Sequence, residues 1–182
     1  MKKLRDPGAG IDHLVDRLEG LADRAGPILW QLPPGLGRDD DRLDQFLAAL
    51  PGRWLHAVEF RHRSWLDGAV FERLHRAKVA LCIPDGARIP QAIELTAPWT
   101  YLRFHRGGRD GAYTDAELDT WARRIRDWRR RGVDVWAYFN NDAHGYAIEN
   151  AKALLAKLGE EVKPDPTGPD AGRLKREAPR AG

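Results

Sequence analysis

Apolar and polar positions along this chain follow two alternating patterns. Five short apolar runs each end in a small set of polar residues, and these runs lie at 28–31, 56–62, 80–85, 101–105 and 135–142. Between most of them, apolar residues recur at a spacing of three and four, which is typical of a helix with one buried face. Strands that alternate with such helices predict a parallel sheet covered by its own helices.

The predicted helices are defined by their apolar positions. These are Leu14, Val15, Leu18, Leu21 and Ala22; Leu43, Phe46, Leu47 and Leu50; Val70, Phe71 and Leu74; Leu118, Trp121, Ala122, Ile125 and Trp128; and Ala147, Ile148, Ala151, Leu154, Leu155 and Leu158. Thr114 and Glu117 form a capping box before the fourth helix, and Gly132 follows its end. Only residues 90–95 have helical character between the third and fourth strands, so we expect an irregular crossover there.

The fold class predicted from this order is α/β, as the C-terminal five (β/α) units of a TIM-type barrel. In such barrels, sites are built on the loops that follow the strands. A closed eight-stranded barrel takes about 250 residues, so the 182 residues here predict an incomplete barrel domain over 1–159. Residues 160–182 combine Pro, Gly and charge without apolar periodicity, which predicts a disordered tail.

Composition narrows the classes of protein further. A single cysteine excludes an internal disulfide, and no apolar run resembles a signal peptide or a membrane span, so we expect a cytoplasmic protein without a membrane partner. The net charge of +3 and the pI near 9.2 indicate a small excess of basic over acidic residues. This excess is too small to favour nucleic acid as a partner. The arginines at 123–131 fall largely between apolar helix positions, which favours a solvated face.

Three segments of the chain resemble one known family. They are Gly26 to Pro34, then His56 to His62 with Ser64 and Trp65, and then Tyr138 to Asp142 with Gly145, Asn150 and Ala151. In this order they are similar to the YecE-like family of unknown function, DUF72. The resemblance covers about residues 2–158, and it implies a TIM-type barrel for which no activity is securely assigned.

The chain also departs from that family at its start. The family's first three strands have no counterpart here, and residues 2–7 resemble the loop after its third strand. We interpret Met1 as standing where an internal residue is expected, from a misassigned start codon or a truncated gene. Unpaired edges on the first and last strands would follow, and a homo-oligomer or another chain could cover them.

Strand alternation predicts which polar side chains face the barrel axis. Glu59 and Arg61 alternate with apolar residues that suit the helix layer, so both are expected to face the axis. The same reasoning places Tyr101, Arg103 and His105 inward. Buried charges need partners, so we expect Glu59 to pair with Arg103 or Arg61. Such a network either fills the barrel core alone or also borders a ligand site.

The leading functional hypothesis is a small-molecule site at the strand C-termini. It would bind or act on an anionic or polyhydroxylated ligand by acid-base or hydrolytic chemistry, using Arg and glycine-rich loops. The catalytic candidates are Glu59, Arg61, Arg103, His105 and Asp142, and the ligand-binding candidates are Gln31, Asp85, Arg106, Gly107, Gly108, Asn140 and Asn141. The alternative is a non-catalytic truncated fragment, or an interaction module completed by another chain.

A metal site is a weaker interpretation of the same strand ends. Glu59, His62, Asp85, His105 and Asp142 all stand there, but no close-spaced ligand motif joins them, so we predict no metal. Asp142 is also a candidate N-cap for the last helix. Gly107 and Gly108 lack the spacing of a dinucleotide-binding loop, and no cofactor is assigned. Cys82 lies in an apolar strand, which favours packing over a reactive thiol.

Overall fold

The computed structural model describes residues 7–20, 25–86, 89–105 and 111–160. Its elements, in chain order, are α1 (Pro7–Glu19), β1 (Ile28–Gln31), α2 (Asp40–Ala49), β2 (His56–Glu59), α3 (Gly68–Arg76), β3 (Ala80–Asp85), β4 (Trp99–Phe104), α4 (Asp115–Arg130), β5 (Asp134–Phe139) and α5 (Tyr146–Leu158). Two short 3-10 helices span Arg63–Trp65 and Ala143–Gly145. The candidate residues Arg106, Gly107 and Gly108, and the expected tail after Glu160, lie outside the described residues.

The five strands form one parallel sheet in the order β1-β2-β3-β4-β5. The register sets Gln31 beside Glu59 and Arg103 beside Tyr138. This arrangement confirms the predicted α/β class with sequential parallel strands, as in a TIM-type barrel. Within the described residues, β1 and β5 each pair with one strand, so each has one open edge.

The sheet is strongly curved. Arg103 on β4 donates a hydrogen bond of 2.7 Å to Gln31 on β1, although two strands lie between them. In a flat sheet those strands would be about 14 Å apart, three spacings of roughly 4.8 Å. A Cβ added at Gly26, just before β1, would lie 3.3 Å from the Tyr138 hydroxyl on β5. Side chains on the concave face, called the inner face below, therefore meet across the sheet, as in a barrel wall.

The convex face carries the apolar residues that contact the helices. Trp30 and Phe60 belong to a buried cluster with residues of α1, α2 and α3, while Leu102 and Phe104 pack with α4 and α5. Phe60 stacks on Trp65 at 4.9 Å, and the Trp65 indole donates a 2.8 Å bond to the Leu36 carbonyl. The apolar residues that alternate with Glu59 and Arg103 thus face the helix layer, which confirms the predicted alternation.

The crossover between β3 and β4 is irregular, as predicted, with no helix over its described residues 89–98. Thr96 anchors it instead: the hydroxyl donates to the Val79 carbonyl and accepts from the Leu81 N–H, both at 2.7 Å. One buried hydroxyl therefore ties the segment to the start of β3.

Two local predictions are corrected by the structure. Asp142 is not the N-cap of α5, because the 3-10 helix intervenes and Gly145 occupies the cap with φ 79°, a left-handed conformation that glycine adopts freely. Ile148 belongs to the apolar pattern of α5 but is 64% exposed. Asn150 is instead among the buried residues of that helix. The buried face of α5 therefore includes Asn150 and leaves out Ile148.

Candidate functional site

Glu59 stands at the C-terminal end of β2 with a fully buried side chain. Its Oε1 pairs with Nε of Arg61, and its Oε2 lies 2.9 Å from Nη1 of Arg103. Both predicted partners are therefore present at once. The arginine side chains remain 21% and 19% exposed, respectively. One buried carboxylate thus holds two guanidinium groups at the surface of the inner face.

Two amides complete the orientation of these arginines. Gln31 Oε1 accepts from Arg61 Nη2 at 3.1 Å and from Arg103 Nη1 at 2.7 Å. Asn140, just after β5, accepts from Arg103 Nε at 3.4 Å. Fixed planar guanidinium groups present their remaining N–H donors in a defined geometry, which suits recognition of oxyanions.

His105 borders the two arginines. Its Nε2 lies 3.3 Å from Arg61 Nη2 and 3.7 Å from Glu59 Oε2. Burial and the nearby Arg103 lower the pKa of His105 below its usual value of 6.5, and Glu59 opposes them incompletely. Since a guanidinium can only donate, Nε2 accepts and the ring proton belongs on Nδ1. We call Gln31, Glu59, Arg61, Arg103 and His105 the charge cluster; with a neutral imidazole its formal charge is +1.

The Cys82 thiol adds a contact that the sequence interpretation did not include. Its Sγ donates to Glu59 Oε2 at 3.6 Å. Burial and the carboxylate both raise the pKa of this thiol well above its usual value, so it stays protonated. The thiol therefore supports Glu59 as a weak donor and is not a nucleophile at neutral pH.

An aromatic pair lies beside the charge cluster on the inner face. Tyr101 and Tyr138 stack with centroids 4.7 Å apart and planes 15° apart. Tyr138 and Trp136 on β5 are 36% and 38% exposed. Tyr101 was expected inward, but Tyr138 was missed. The available signal was its position two residues before Asn140, which gives both the same strand face.

Other candidate residues lie away from the charge cluster. Asp85 Oδ2 accepts a 2.6 Å bond from the Trp121 indole of α4, on the helix side. Burial raises the Asp85 pKa, against the lowering effect of that bond. Asp142 is exposed, and its carbonyl accepts from the Gly145 N–H.

Asn141 serves as a brace in the structure. Its Nδ2 donates to the Gly111 carbonyl at 2.9 Å and to Asn150 Oδ1 at 2.8 Å. Asn150 Oδ1 also accepts from the Tyr113 N–H at 3.0 Å. This pair of amides joins α5 to the segment before α4, and so it holds the rim of the sheet beside the charge cluster.

The described residues contain no group of three His, Cys, Asp or Glu side chains placed to hold a metal ion. His62 instead caps the 3-10 helix Arg63–Trp65, where its Nδ1 accepts from the Ser64 N–H at 3.2 Å. None of the described helices has the length and apolar character needed to cross a membrane.

Two cavities open elsewhere on the molecule. One of about 620 Å³ lies among β5, α4 and α5, and one of about 690 Å³ lies between α3 and residues 94–96. Neither contains a residue of the charge cluster. The charged side chains lie instead on the open concave surface, and we place the candidate site there because fixed donors and charge are found there.

Comparison with known proteins relates the chain to a family without an assigned function. The sequence matches the family described as "Protein of unknown function DUF72" over residues 1–173. It is 27% identical over 132 residues to UPF0759 protein YunF of Bacillus subtilis (strain 168), covering 58% of this chain and 47% of the relative. The chain thus spans about half the length of that curated relative.

Solved structures are similar in fold. A DUF72 family protein from Thermotoga maritima MSB8 superposes with a TM-score of 0.77 at 24% identity, covering 87% of this chain and 68% of that one. A DUF72 family protein from Enterococcus faecalis V583 gives a TM-score of 0.74 at 17% identity, with the same coverage of each chain. At these identities the likeness shows the shared fold.

Proposed function

We propose that this chain, which belongs to the DUF72 family of proteins of unknown function, binds a small anionic or polyhydroxylated ligand at its charge cluster. The observation that carries the proposal is the convergence of Arg61 and Arg103 on the single buried carboxylate of Glu59. A pair of arginines held by one counter-charge leaves an excess positive charge, and both side chains remain reachable from solvent.

Unused donors support an anionic ligand. Each guanidinium carries five N–H donors. Nη1 of Arg61 and Nη2 of Arg103 have no partner among the residues that the structure describes. An oxyanion would satisfy these donors and neutralise the excess charge, and hydroxyl groups would satisfy the donors alone.

His105 is the residue that fits acid-base chemistry at this site. Its lowered pKa favours the neutral imidazole at pH 7, and Nε2 can accept a proton from a bound hydroxyl group that replaces Arg61 Nη2 as its donor. Glu59 is engaged by both arginines and the Cys82 thiol, and its role in the proposal is to position the guanidinium groups. Any turnover would therefore depend on His105 and binding on the arginines.

Calorimetric titration with inorganic phosphate, and separately with glucose as a neutral polyol, tests the proposal. We expect Arg103→Gln to weaken phosphate binding roughly tenfold or more, as for a lost hydrogen bond to a charged group. Arg73→Gln is the matched control: Arg73 is 22% exposed and pairs with Asp40 and Asp44 on the helix side. No binding of either probe to the parent protein, or equal losses in both variants, would refute the proposal.

A second candidate function is assembly with another chain through the open sheet edges. The observation that favours it is β5, where every residue is exposed or half-buried and Trp136 is 38% exposed. An apolar strand with an open edge is a template for pairing with a further strand. Light scattering of the purified chain separates this candidate from a monomeric binding protein.

A further inference from the structure

We infer that the ligand of the charge cluster carries a flat aromatic ring beside its anionic group, and that the ring stacks on Tyr138. This inference rests on the proposed function and names the class of compound that the site takes. It follows from where β5 places its aromatic residues relative to the two arginines.

The sheet register puts the ring surface next to the cation. Tyr138 is the direct partner of Arg103 on the neighbouring strand, and both side chains lie on the inner face. Adjacent strands are roughly 4.8 Å apart. Arg103 Nε also donates to Asn140, two residues after Tyr138 and on the same face of the sheet. An anion held by the remaining Arg103 donors therefore lies near the strand that carries Tyr138, which suits a phosphate or carboxylate attached directly to an aromatic ring.

Tyr138 is held by ring stacking and remains partly exposed to solvent. One ring face stacks on Tyr101, which is only 7% exposed, while Tyr138 itself is 36% exposed. The Tyr138 hydroxyl lies close to Gly26, where an added Cβ would be 3.3 Å away. An aromatic surface that is already fixed loses little side-chain freedom on binding, so a ligand ring can stack there at low entropic cost.

Trp136 provides an internal comparison. It is equally exposed and lies on the same strand face, but its register partner is Tyr101, two residues deeper than Arg103. Two strand positions correspond to roughly 6.6 Å. A ring attached directly to the anionic group should therefore contact Tyr138 and leave Trp136 untouched.

The experiment compares three probes by calorimetric titration: inorganic phosphate, phenyl phosphate and phenol. For the parent protein we expect phenyl phosphate to bind roughly three- to tenfold more tightly than inorganic phosphate, as for one aromatic pair. In Tyr138→Leu, phenyl phosphate and inorganic phosphate should bind with the same affinity. Tyr138→Phe and Trp136→Leu should both retain it, and Arg103→Gln should weaken both phosphates.

A measurement on the parent protein makes the test independent of whether any variant folds. Nuclear Overhauser contacts between the phenyl protons and a tyrosine ring are expected in the complex with phenyl phosphate. Phosphate binding without a gain from the phenyl group, or a gain that survives in Tyr138→Leu, would overturn this inference alone. Absence of binding by either phosphate would instead overturn the proposed function on which it rests.

Discussion

Glu59 is the residue on which most of the candidate site depends, because both arginines and the thiol contact its carboxylate. We predict that Glu59→Gln lowers the free energy of unfolding by roughly 2–4 kcal/mol, since it leaves two guanidinium groups without their counter-charge. Because both arginine side chains are partly exposed to water, we expect a smaller loss of stability than for a fully buried ion pair. Urea unfolding followed by tryptophan fluorescence measures the change.

Glu94→Gln is the control for that prediction, because Glu94 is exposed and lies in the irregular crossover. We expect its effect to stay within about 0.5 kcal/mol, as for surface substitutions generally. Equal stability of the two variants would show that the Glu59 pairs contribute nothing to folding.

His105 should make stability depend on pH. Its pKa in the folded protein is lower than its ordinary value of 6.5, so the unfolded chain binds more protons between the two values. The stability contributed by keeping the ring neutral is complete above about pH 6.5, and is lost as pH falls through the folded-state pKa.

His105→Asn should therefore lose less stability than the parent protein between about pH 7 and pH 5. His56 also has a lowered pKa, from burial, and remains in both proteins, so the difference between them isolates His105. Urea midpoints at a series of pH values supply the comparison. Parallel curves for the two proteins would contradict the prediction.

Side-chain alternation made part of the site predictable from sequence. It placed Glu59 and Arg103 on one face, and the need to pair buried charge made their contact expected. Alternation alone could not show that Cys82 lies against the same carboxylate, because that contact depends on the register between β2 and β3. Alternation does account for Asp85. Its side chain lies on the opposite face of β3 from that of Cys82, and so it faces Trp121 on the helix side.

At the scale of single elements, α4 begins at a complete capping box. Thr114 accepts from the Glu117 N–H, and the Glu117 carboxylate accepts from the Thr114 N–H. We predict that Thr114→Ala lowers the free energy of unfolding by about 1 kcal/mol. Thr120→Ala, an exposed position within the same helix, is the matched control. A larger loss in the control than in Thr114→Ala would contradict the role of the cap.

The helices were more predictable than their ends. Apolar spacing located α2, α3 and α4 because each buries one face against the sheet. The extent of α5 was predicted well, but its N-cap was not, because the pattern cannot show that residue 144 takes φ 58° and residue 145 φ 79°, which inserts a short turn before the helix. Backbone angles of this kind are decided by local geometry rather than by periodicity.

At the scale of the whole molecule, the open edge of β5 predicts association. Trp136 is 38% exposed on that strand, and Ile148, which belongs to α5 and not to the strand, is 64% exposed. We predict that Trp136→Lys shifts the chain toward monomer in light scattering, while Ile148→Lys does not. A parent protein that stays monomeric at high concentration would refute this prediction.

The parallel order of the strands was predictable because strands alternate with helices along the chain. Short, right-handed connections between successive strands favour this sequential order. The predicted barrel implied a curved sheet, but the pattern did not show which side chains would meet across it. Contacts such as Arg103 with Gln31 join the first and fourth strands across the inner face. The site is thus a product of sheet shape as much as of residue type.

The buried Cys82 thiol lies against Glu59, so the rate of its chemical modification can be used to follow local opening of the site. Cys82 is the only cysteine in the chain, is 1% exposed, and touches the carboxylate that joins both arginines. A thiol reagent can modify it only in molecules where that neighbourhood has opened. The rate of labelling therefore measures the free energy of local opening around Cys82. A bound anion should lower this rate as the fraction of protein with anion bound increases.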